Sequence, residues 1–331
     1  MSHGITKEDS MAYANEVPWH GLGYKVGNDL TPAQMLKAAK LDWTVEKRSM
    51  AFYKADGETI SGAVAGQFAL VRAPGDNVLS VVGANYKPVQ NAVSLDFFKK
   101  FTEAGHMTME TAGSLWGGRY VWALAKIGKG FTLGKNDKVD GYLLLSSPHV
   151  LGRAMVIKFT PIRVVCWNTL TWSLGADLAG KSGTAFHMPH SVEFSDDVKH
   201  QAEVALGLAK DQMTDFQEAS TLLTKAKVKP EQVDEYFCNV LKYDPKDAKK
   251  KKDGDAKEPR MLEKFRQALI RAPGQQIVTA QGTMWGAYNA VSYVIDHDLG
   301  RDRSAALYTA WYGQKASMKR TAFQTALDMA K

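Results

Sequence analysis

The chain has 331 residues, of which 45% are hydrophobic and 23% charged, which excludes a disordered polymer and leaves room for one large domain or two ordinary ones. Its 42 Lys and Arg residues outnumber 35 Asp and Glu residues, and the net charge of +7 favours polyanionic partners modestly. No window approaches the roughly 18 apolar residues of a membrane helix, and the start lacks the pattern of a signal peptide. Cys166 and Cys238 form no CxxC pair, so reduced intracellular thiols are expected.

The first 190 residues are predicted to be mostly β-structure, after an irregular Gly-rich segment at residues 1–30. Thr31 and Pro32 suit the cap and first position of a short helix. Apolar residues at helical spacing predict a second helix at Ala92–Ala104. Runs of β-forming residues, punctuated by Gly, Pro, Asn or Asp, predict strands at Trp43–Tyr53, Gln67–Ala73, Val78–Val82, Tyr120–Lys126, Tyr142–Ser146 and Ala154–Phe159.

Residues 191–331 are predicted to be helical, because apolar residues recur three and four positions apart and Pro and Gly delimit the segments. The predicted helices are Ser195–Lys227, Pro230–Tyr243, Pro259–Pro273, Met284–His297, Arg303–Tyr312 and Gln314–Ala330. The predicted fold class is therefore α+β. A β-rich part with an antiparallel sheet, residues 31–190, precedes a mostly helical part.

The window Gly113–Gly175 combines positive charge with aromatic residues on β-type sequence. It holds eight basic residues and two acidic ones, a net charge of +6. Cations track phosphates, while flat rings stack on bases without reading their identity, so the window predicts a surface for single-stranded nucleic acid. The predicted phosphate contacts are Arg119, Lys126, Lys129, Arg153, Lys158 and Arg163, and the predicted stacking residues are Trp122 and Trp167.

A second basic stretch lies at residues 242–260, within the helical part. It contains Lys249, Lys250, Lys251 and Lys252, and its census of eight basic and five acidic residues gives a net charge of +3. One interpretation is a surface loop that joins two helices. The other is a basic flap that touches a phosphate backbone, and the four lysines are included in the predicted interface.

The segment Gly175–Ser182 satisfies the letters of the P-loop, GxxxxGK[ST], with Gly180, Lys181 and Ser182 as the nucleotide-binding residues. A working P-loop is followed directly by a helix, because backbone N–H groups at the helix start hold the phosphates. Gly183 and Pro189 disfavour such a helix here. A Gly-rich loop between strands explains the segment equally well, and no cofactor is predicted.

Signs of metal or hydrolytic chemistry are weak. His187 and His190 lie three residues apart and Cys166 could lie near them, but three scattered ligands without a fourth at a standard spacing are a weak indication of a metal site. The chain has no HExxH motif, no GxSxG motif with ordered partners and no paired acids in a common motif. The sequence therefore predicts no catalytic residues, no metal and a protein that is not an enzyme.

Four unusual motifs carry a family resemblance: PWHGLG near the start, NYKPVQN at Asn85–Asn91, TPIRVVCWNTL at Thr160–Leu170 and TMWGAYNAVSYVIDH at Thr283–His297. From about Pro18 onwards the chain resembles the phage/plasmid-like proteins of domain of unknown function 932. The resemblance brings no established activity. It implies a phage or mobile-element protein in the cytoplasm of a bacterial host, with a distant analogy to phage single-strand annealing proteins.

The functional hypothesis is a non-enzymatic nucleic-acid-binding protein that binds single-stranded DNA, or RNA, and anneals strands in recombination or replication as a homo-oligomer, without a membrane. Two alternatives stay open. The first is a protein-interaction module of a mobile element, an anti-defence or regulatory factor, with Ser195–Lys227 as the partner surface. The second is a nucleotide-binding enzyme that uses Lys181.

Overall fold

The computed structural model describes residues 9–15, 23–128, 130–163, 168–169, 185–207, 209–246, 258–299 and 314–331. Strands dominate the N-terminal half and helices the C-terminal half, which confirms the predicted α+β class. No helix within these ranges is long and apolar enough to cross a membrane. The chain forms two compact units, unit 1 with residues 1–128, 142–159 and 183–209, and unit 2 with residues 129–141, 160–182 and 210–331.

The strands are β1 (Met11–Tyr13), β2 (Tyr24–Lys25), β3 (Thr44–Tyr53), β4 (Ile60–Ala73), β5 (Asn77–Gly83), β6 (Met107–Leu115), β7 (Tyr120–Ile127), β8 (Phe131–Leu133), β9 (Asp137–Pro148), β10 (Met155–Arg163), β11 (Asn168–Thr169) and β12 (Ala185–Met188). The helices are α1 (Pro32–Ala38), α2 (Asn91–Asp96), α3 (Lys99–Glu103), α4 (Asp196–Gly207), α5 (Ala209–Lys225), α6 (Pro230–Leu241), α7 (Arg260–Arg271), α8 (Met284–Tyr293), a π-helical segment (Val294–Asp298) and α9 (Gln314–Ala330).

Unit 1 contains two sheets. In the larger one the strand order is β12, β10, β9, β7, β6, β1, β2, and β1 and β2 pair in parallel. The smaller sheet is the antiparallel meander β3–β4–β5. One apolar core joins them, and it includes Leu70, Phe98, Val121 and Leu143. The predicted start of α1 is confirmed, since the Thr31 hydroxyl accepts a hydrogen bond from the backbone N–H of Gln34 at 3.2 Å.

Unit 2 is built around α8, which is buried along its whole length up to Ser292. Its core contains Phe216, Phe237, Phe265 and Phe323 from four other helices. The β8–β9 hairpin is joined to it through Asp137, which is completely buried. The Asp137 carboxylate accepts hydrogen bonds from the Thr279 hydroxyl at 2.6 Å and from the Trp285 indole N–H at 2.9 Å.

Several predicted elements differ in detail. Ala92–Ala104 forms two short helices rather than one, and Phe97 and Phe98, at the junction between them, are both buried. Met284–His297 ends in the π-helical segment, in which residues 294–296 are buried. Ser195–Lys227 forms α4 and α5, and Arg303–Tyr312 lies outside the described residues. Strand β6 was not predicted.

The compact units do not follow the predicted division near residue 190. Strand β9 contributes residues 137–141 to unit 2 and residues 142–148 to unit 1, and β10 is divided between the units at residue 159. A division drawn from composition assigns each continuous stretch to one part. It therefore cannot represent strands whose two halves pack in different cores.

Candidate nucleic-acid interface

Two turns of unit 1 lie side by side at one end of its larger sheet. The first, residues 116–119, connects β6 to β7, and the second, residues 149–154, connects β9 to β10. Tyr120 pairs with Pro148, so the turns leave neighbouring strand ends. The backbone N–H of His149 donates to the carbonyl of Arg119 at 2.7 Å. We call residues 116–120 and 148–154 together the loop end.

The 116–119 turn is held in place by hydrogen bonds to the carboxylate of Asp9. Trp116, Gly117 and Gly118 all have positive φ, of 54°, 71° and 95°. Successive residues of this kind direct their backbone N–H groups to one side. Asp9 accepts hydrogen bonds from the N–H groups of Gly117 and Gly118 at 2.9 and 3.0 Å and from the Ser114 hydroxyl at 2.8 Å. The turn therefore has a fixed shape, and Arg119 at its end is exposed.

The same turn packs closely on Trp43, which is 6% exposed. A Cβ at Gly118 would lie 2.8 Å from the indole ring of Trp43, so only glycine allows this approach. The guanidinium of Arg72 lies over the same ring, 4.6 Å from its centroid. A cation and a buried ring thus support the turn that carries Arg119.

The second turn is anchored by His149, whose side chain is completely buried. Its ring meets Trp43 edge to face at 5.6 Å, and its Nε2 lies 2.9 Å from Asn91 Oδ1. The Asn91 amide nitrogen donates to the carbonyls of Leu41 and Trp43, so its oxygen is the acceptor towards His149. His149 therefore carries its proton on Nε2, and Nδ1 keeps its lone pair.

A second imidazole lies in the same region. His190 Nδ1 lies 3.2 Å from the carbonyl of Lys87, so this nitrogen carries the proton. Tyr86 stacks on the His190 ring at 4.6 Å and donates its hydroxyl proton to the carbonyl of Pro148 at 3.3 Å. Burial, and secondly the charge of His190, lowers the pKa of His149 to about 3. Burial also lowers the pKa of His190, against its backbone hydrogen bonds.

Acid should destabilise unit 1 through His149. The unfolded chain takes up this proton near the ordinary value of 6.5, whereas the folded chain does so only near 3. The free energy of unfolding should therefore fall as the pH drops through this window, by about 2 kcal/mol between pH 7 and pH 5. Urea denaturation at several pH values measures the slope. His149→Gln, which retains an N–H for Asn91, should flatten it, and an unchanged slope in that variant would contradict the assignment.

The loop end brings together two of the predicted phosphate contacts, Arg119 and Arg153, and both side chains are exposed. Lys126 and Lys158 lie elsewhere, on β7 and β10, and both are half-buried. Residues 121, 123, 125, 155 and 157 face the core of unit 1, so these two lysines project from the opposite face of the sheet.

Trp122 is not the stacking residue that the sequence predicted. Its side chain is 1% exposed, so no base can reach the ring. It shares its sheet face with Leu124, Tyr142 and Leu144, all of them buried. The alternation of side chains along a strand correctly places Trp122 and Lys126 on one face of the sheet. It does not reveal that the part of this face around Trp122 is buried.

The remaining predicted site residues lie outside the described part of the chain. They are Lys129, Trp167, the four lysines 249–252, and Gly180, Lys181 and Ser182, together with the side chain of Arg163. The interface predicted from them stays a prediction. Among the described residues no group of three or more His, Cys, Asp or Glu is arranged to hold a metal ion.

The most exposed aromatic rings of the described chain are not among the predicted stacking residues. Phe52 is 51% exposed, Tyr53 is 57% exposed and Tyr24 is 42% exposed. The first two end β3, outside the basic window that drew attention to residues 113–175. A continuous apolar run such as Ala51–Tyr53 is more typical of a strand buried on both faces, so no local pattern indicated that these rings are exposed.

Comparison with protein-family models matches residues 78–325, about three quarters of the chain, to a domain of unknown function, DUF932. No curated protein matches the chain. No solved structure matches it either. The matched range includes the loop end but begins after β3 and β4, so the rings of Phe52 and Tyr53 lie outside it.

Proposed function

This chain belongs to the DUF932 family, a domain of unknown function, and from its own surface we propose that it binds single-stranded nucleic acid through the loop end. The family description supplies no activity. The proposal therefore rests on the described residues of this chain.

One observation carries the proposal. Arg119 and Arg153 are exposed on two turns that a backbone hydrogen bond joins, beside a pair of aromatic rings. Those rings, Trp116 and Tyr120, meet edge to face at 5.0 Å and are half-buried, so each keeps part of its surface accessible. Guanidinium groups bind phosphates of any sequence, and partly exposed rings offer stacking surfaces to any base.

Single strands fit this arrangement better than duplexes. The bases of a duplex are stacked on one another and paired, so their faces are closed to protein rings. An unpaired strand leaves those faces open while its phosphates remain available to arginine. We further propose annealing of complementary strands, in a phage or mobile-element context in the bacterial cytoplasm, because annealing requires only a held strand with bases available for pairing and no cofactor.

Removing the two arginines tests the proposal. In fluorescence anisotropy with a labelled single-stranded oligonucleotide, the logarithm of the binding constant should fall linearly with the logarithm of the salt concentration. This slope is negative, and each lost phosphate contact reduces its magnitude by roughly 0.7. The double variant Arg119→Ala/Arg153→Ala should therefore have a slope shallower by about 1.4 and should bind more weakly at every salt concentration.

A matched control removes the same charge elsewhere. Lys37 on α1 and Lys99 on α3 are exposed, and both lie outside the loop end. The double variant Lys37→Ala/Lys99→Ala should bind with a nearly unchanged slope. Equal losses in both double variants would mean that general charge, rather than this surface, attracts the strand. An intact chain that fails to bind at low salt would refute the proposal.

A further inference from the structure

The far half of the β3–β4 hairpin projects from its sheet as a two-stranded ribbon. Strand β5 pairs with residues 67–72 of β4 and reaches no further along it. Residues 50–53 of β3 and 60–66 of β4 therefore lie in a two-stranded part of the sheet, with no third strand beside them among the described residues, and none of them is buried. We call these two segments and the turn between them the arm.

The arm ends in two rings that point to opposite faces. The register shift between Phe52 and Tyr53 inserts the extra residue Ser61 into β4, so the alternation of β3 itself continues and the two consecutive side chains leave the ribbon on opposite sides. Phe52 pairs with Gly62 and Tyr53 pairs with Ile60. A Cβ at Gly62 would lie 3.2 Å from the Phe52 ring, which shows that the ring crosses the glycine and is held against the backbone.

The β4 segment that pairs with the rings is uncharged and made of small residues. The segment Ile60–Gly66 has no charged residue, and six of its seven side chains are Ser, Gly, Ala or Val. Cβ atoms added at Gly57 and Gly66 would meet nothing within 4 Å. Small neighbours leave a ring face free for a flat ligand. Because the two rings are on opposite faces, the exposed apolar surface is divided between them and does not form the kind of continuous patch that binds proteins.

The turn at the arm's end does not attract phosphate. Its one basic residue, Lys54, is outnumbered by two acidic residues, Asp56 and Glu58. The Asp56 carboxylate accepts hydrogen bonds from the backbone N–H groups of Glu58 and Thr59, both at 2.9 Å. Those two N–H groups lower the pKa of Asp56, with the Thr59 side chain contributing less. An aromatic tip with a fixed, slightly acidic turn suits an uncharged flat group, such as a nucleobase, better than a phosphate.

The end of the β3–β4 hairpin opposite the arm lies next to the loop end. Arg72, near the end of β4, lies over Trp43 and would be 3.6 Å from a Cβ at Gly118 in the 116–119 turn. From Thr44 to Tyr53 the ribbon spans at most roughly 30 Å, at about 3.3 Å per residue. One extended single strand can therefore run from the arginines of the loop end along the hairpin to the rings.

We propose that Phe52 and Tyr53 stack on nucleobases of the strand whose phosphates the loop end binds. The inference rests on the proposed function and adds a second pair of rings, besides Trp116 and Tyr120, that contacts the bases. Stacking on two rings is independent of base identity, so the arm would hold a strand without selecting its sequence. Because the rings lie far from the arginines, only a strand of sufficient length engages both.

The test replaces both rings and measures binding to three labelled strands: one of about 20 nucleotides, one of about 4, and a long strand with abasic sites at all internal positions. For the long normal strand, Phe52→Ala/Tyr53→Ala should weaken binding about tenfold or more. It should leave the short strand and the abasic strand nearly unaffected. Phe52→Leu/Tyr53→Leu keeps apolar bulk without a π-face and should lose as much.

Val78 and Val81 provide the matched control, since they are exposed apolar residues of β5 in the same sheet, 53% and 37% exposed. Their double alanine variant should bind like the unchanged chain. Full affinity of the Leu variant, or an equal loss on the abasic strand, would overturn base stacking. A smaller assembly in light scattering with unaltered DNA affinity would also overturn it and make the arm a protein contact. If the arginine variant loses affinity for the long strand and the ring variant does not, the proposed function stands and this inference is refuted.

Discussion

Lys319→Met should lower the free energy of unfolding by about 3–5 kcal/mol, because it removes the ammonium group that hydrogen-bonds directly to the buried Asp296 carboxylate. The Lys319 ammonium donates to Asp296 Oδ1 at 2.7 Å, and the two side chains are 1% and 0% exposed. Lys315 also lies near Asp296, but its ammonium already donates to the carbonyl of Leu299 and is only half-buried. It cannot replace a charge that touches the carboxylate directly.

A second substitution separates the cost of an unpaired charge from the loss of packing. Lys319→Met/Asp296→Leu removes both charges and should recover most of the stability, because apolar replacement of a buried pair is often neutral. Urea denaturation followed by circular dichroism at 222 nm measures both, since most helices belong to unit 2.

Arg266→Met is the control in the same unit. Its partners Asp234 and Glu258 are both 48% exposed and stay solvated when the arginine is lost, so the cost should be no more than about 1 kcal/mol. A double variant as unstable as Lys319→Met alone would show that the side chains contribute by packing rather than as a pair.

Local rules predicted the elements whose own residues determine them. Pro32 and Pro230 occupy first positions of helices, and Gln314–Ala330 has the predicted bounds. Strand β6 escaped prediction because its sequence, MTMETAGSL, is rich in small residues rather than β-formers. Gly113 is explained by a tertiary contact, since a Cβ there would lie 2.5 Å from the Met11 side chain on β1.

The candidate site was predictable to the extent that charge predicts exposure. Arg119 and Arg153 are on the surface because a guanidinium is costly to bury without a partner. Aromatic residues give no such guidance: Trp122 and Tyr53 both lie in strands, yet one is 1% exposed and the other 57%. The difference depends on whether another layer covers the strand, and that information lies in distant parts of the chain.

Gly286→Ala should destabilise unit 2 by about 3 kcal/mol or more, although the same change in an ordinary helix interior is stabilising by about 1 kcal/mol. Gly286 lies in the first turn of α8, where Thr283 caps the helix by accepting from its N–H at 3.2 Å. A Cβ there would lie 2.0 Å from the carbonyl oxygen of Ala280 and 2.9 Å from its carbonyl carbon. Both atoms are backbone, so no side-chain rotation relieves the clash.

The turn before α8 has little freedom to move away. The Thr283 hydroxyl donates to the carbonyl of Thr279 at 2.7 Å, and Gln275 donates to the carbonyl of Gly286 at 3.1 Å. Thr279 in turn donates to the buried Asp137. Displacing Ala280 therefore strains bonds on both sides of it, and the strain adds to the lost packing.

Thermal unfolding of Gly286→Ala beside Gly83→Ala tests this account of the motif TMWGAY. A Cβ at Gly83 meets nothing within 4 Å, so that variant should melt within a degree or two of the unchanged chain. Gly286→Ala should melt lower by roughly 5–10 °C. Equal melting temperatures would mean that the turn at Ala280 yields without cost, and that the glycine in this motif is required for something other than the approach of the two backbones.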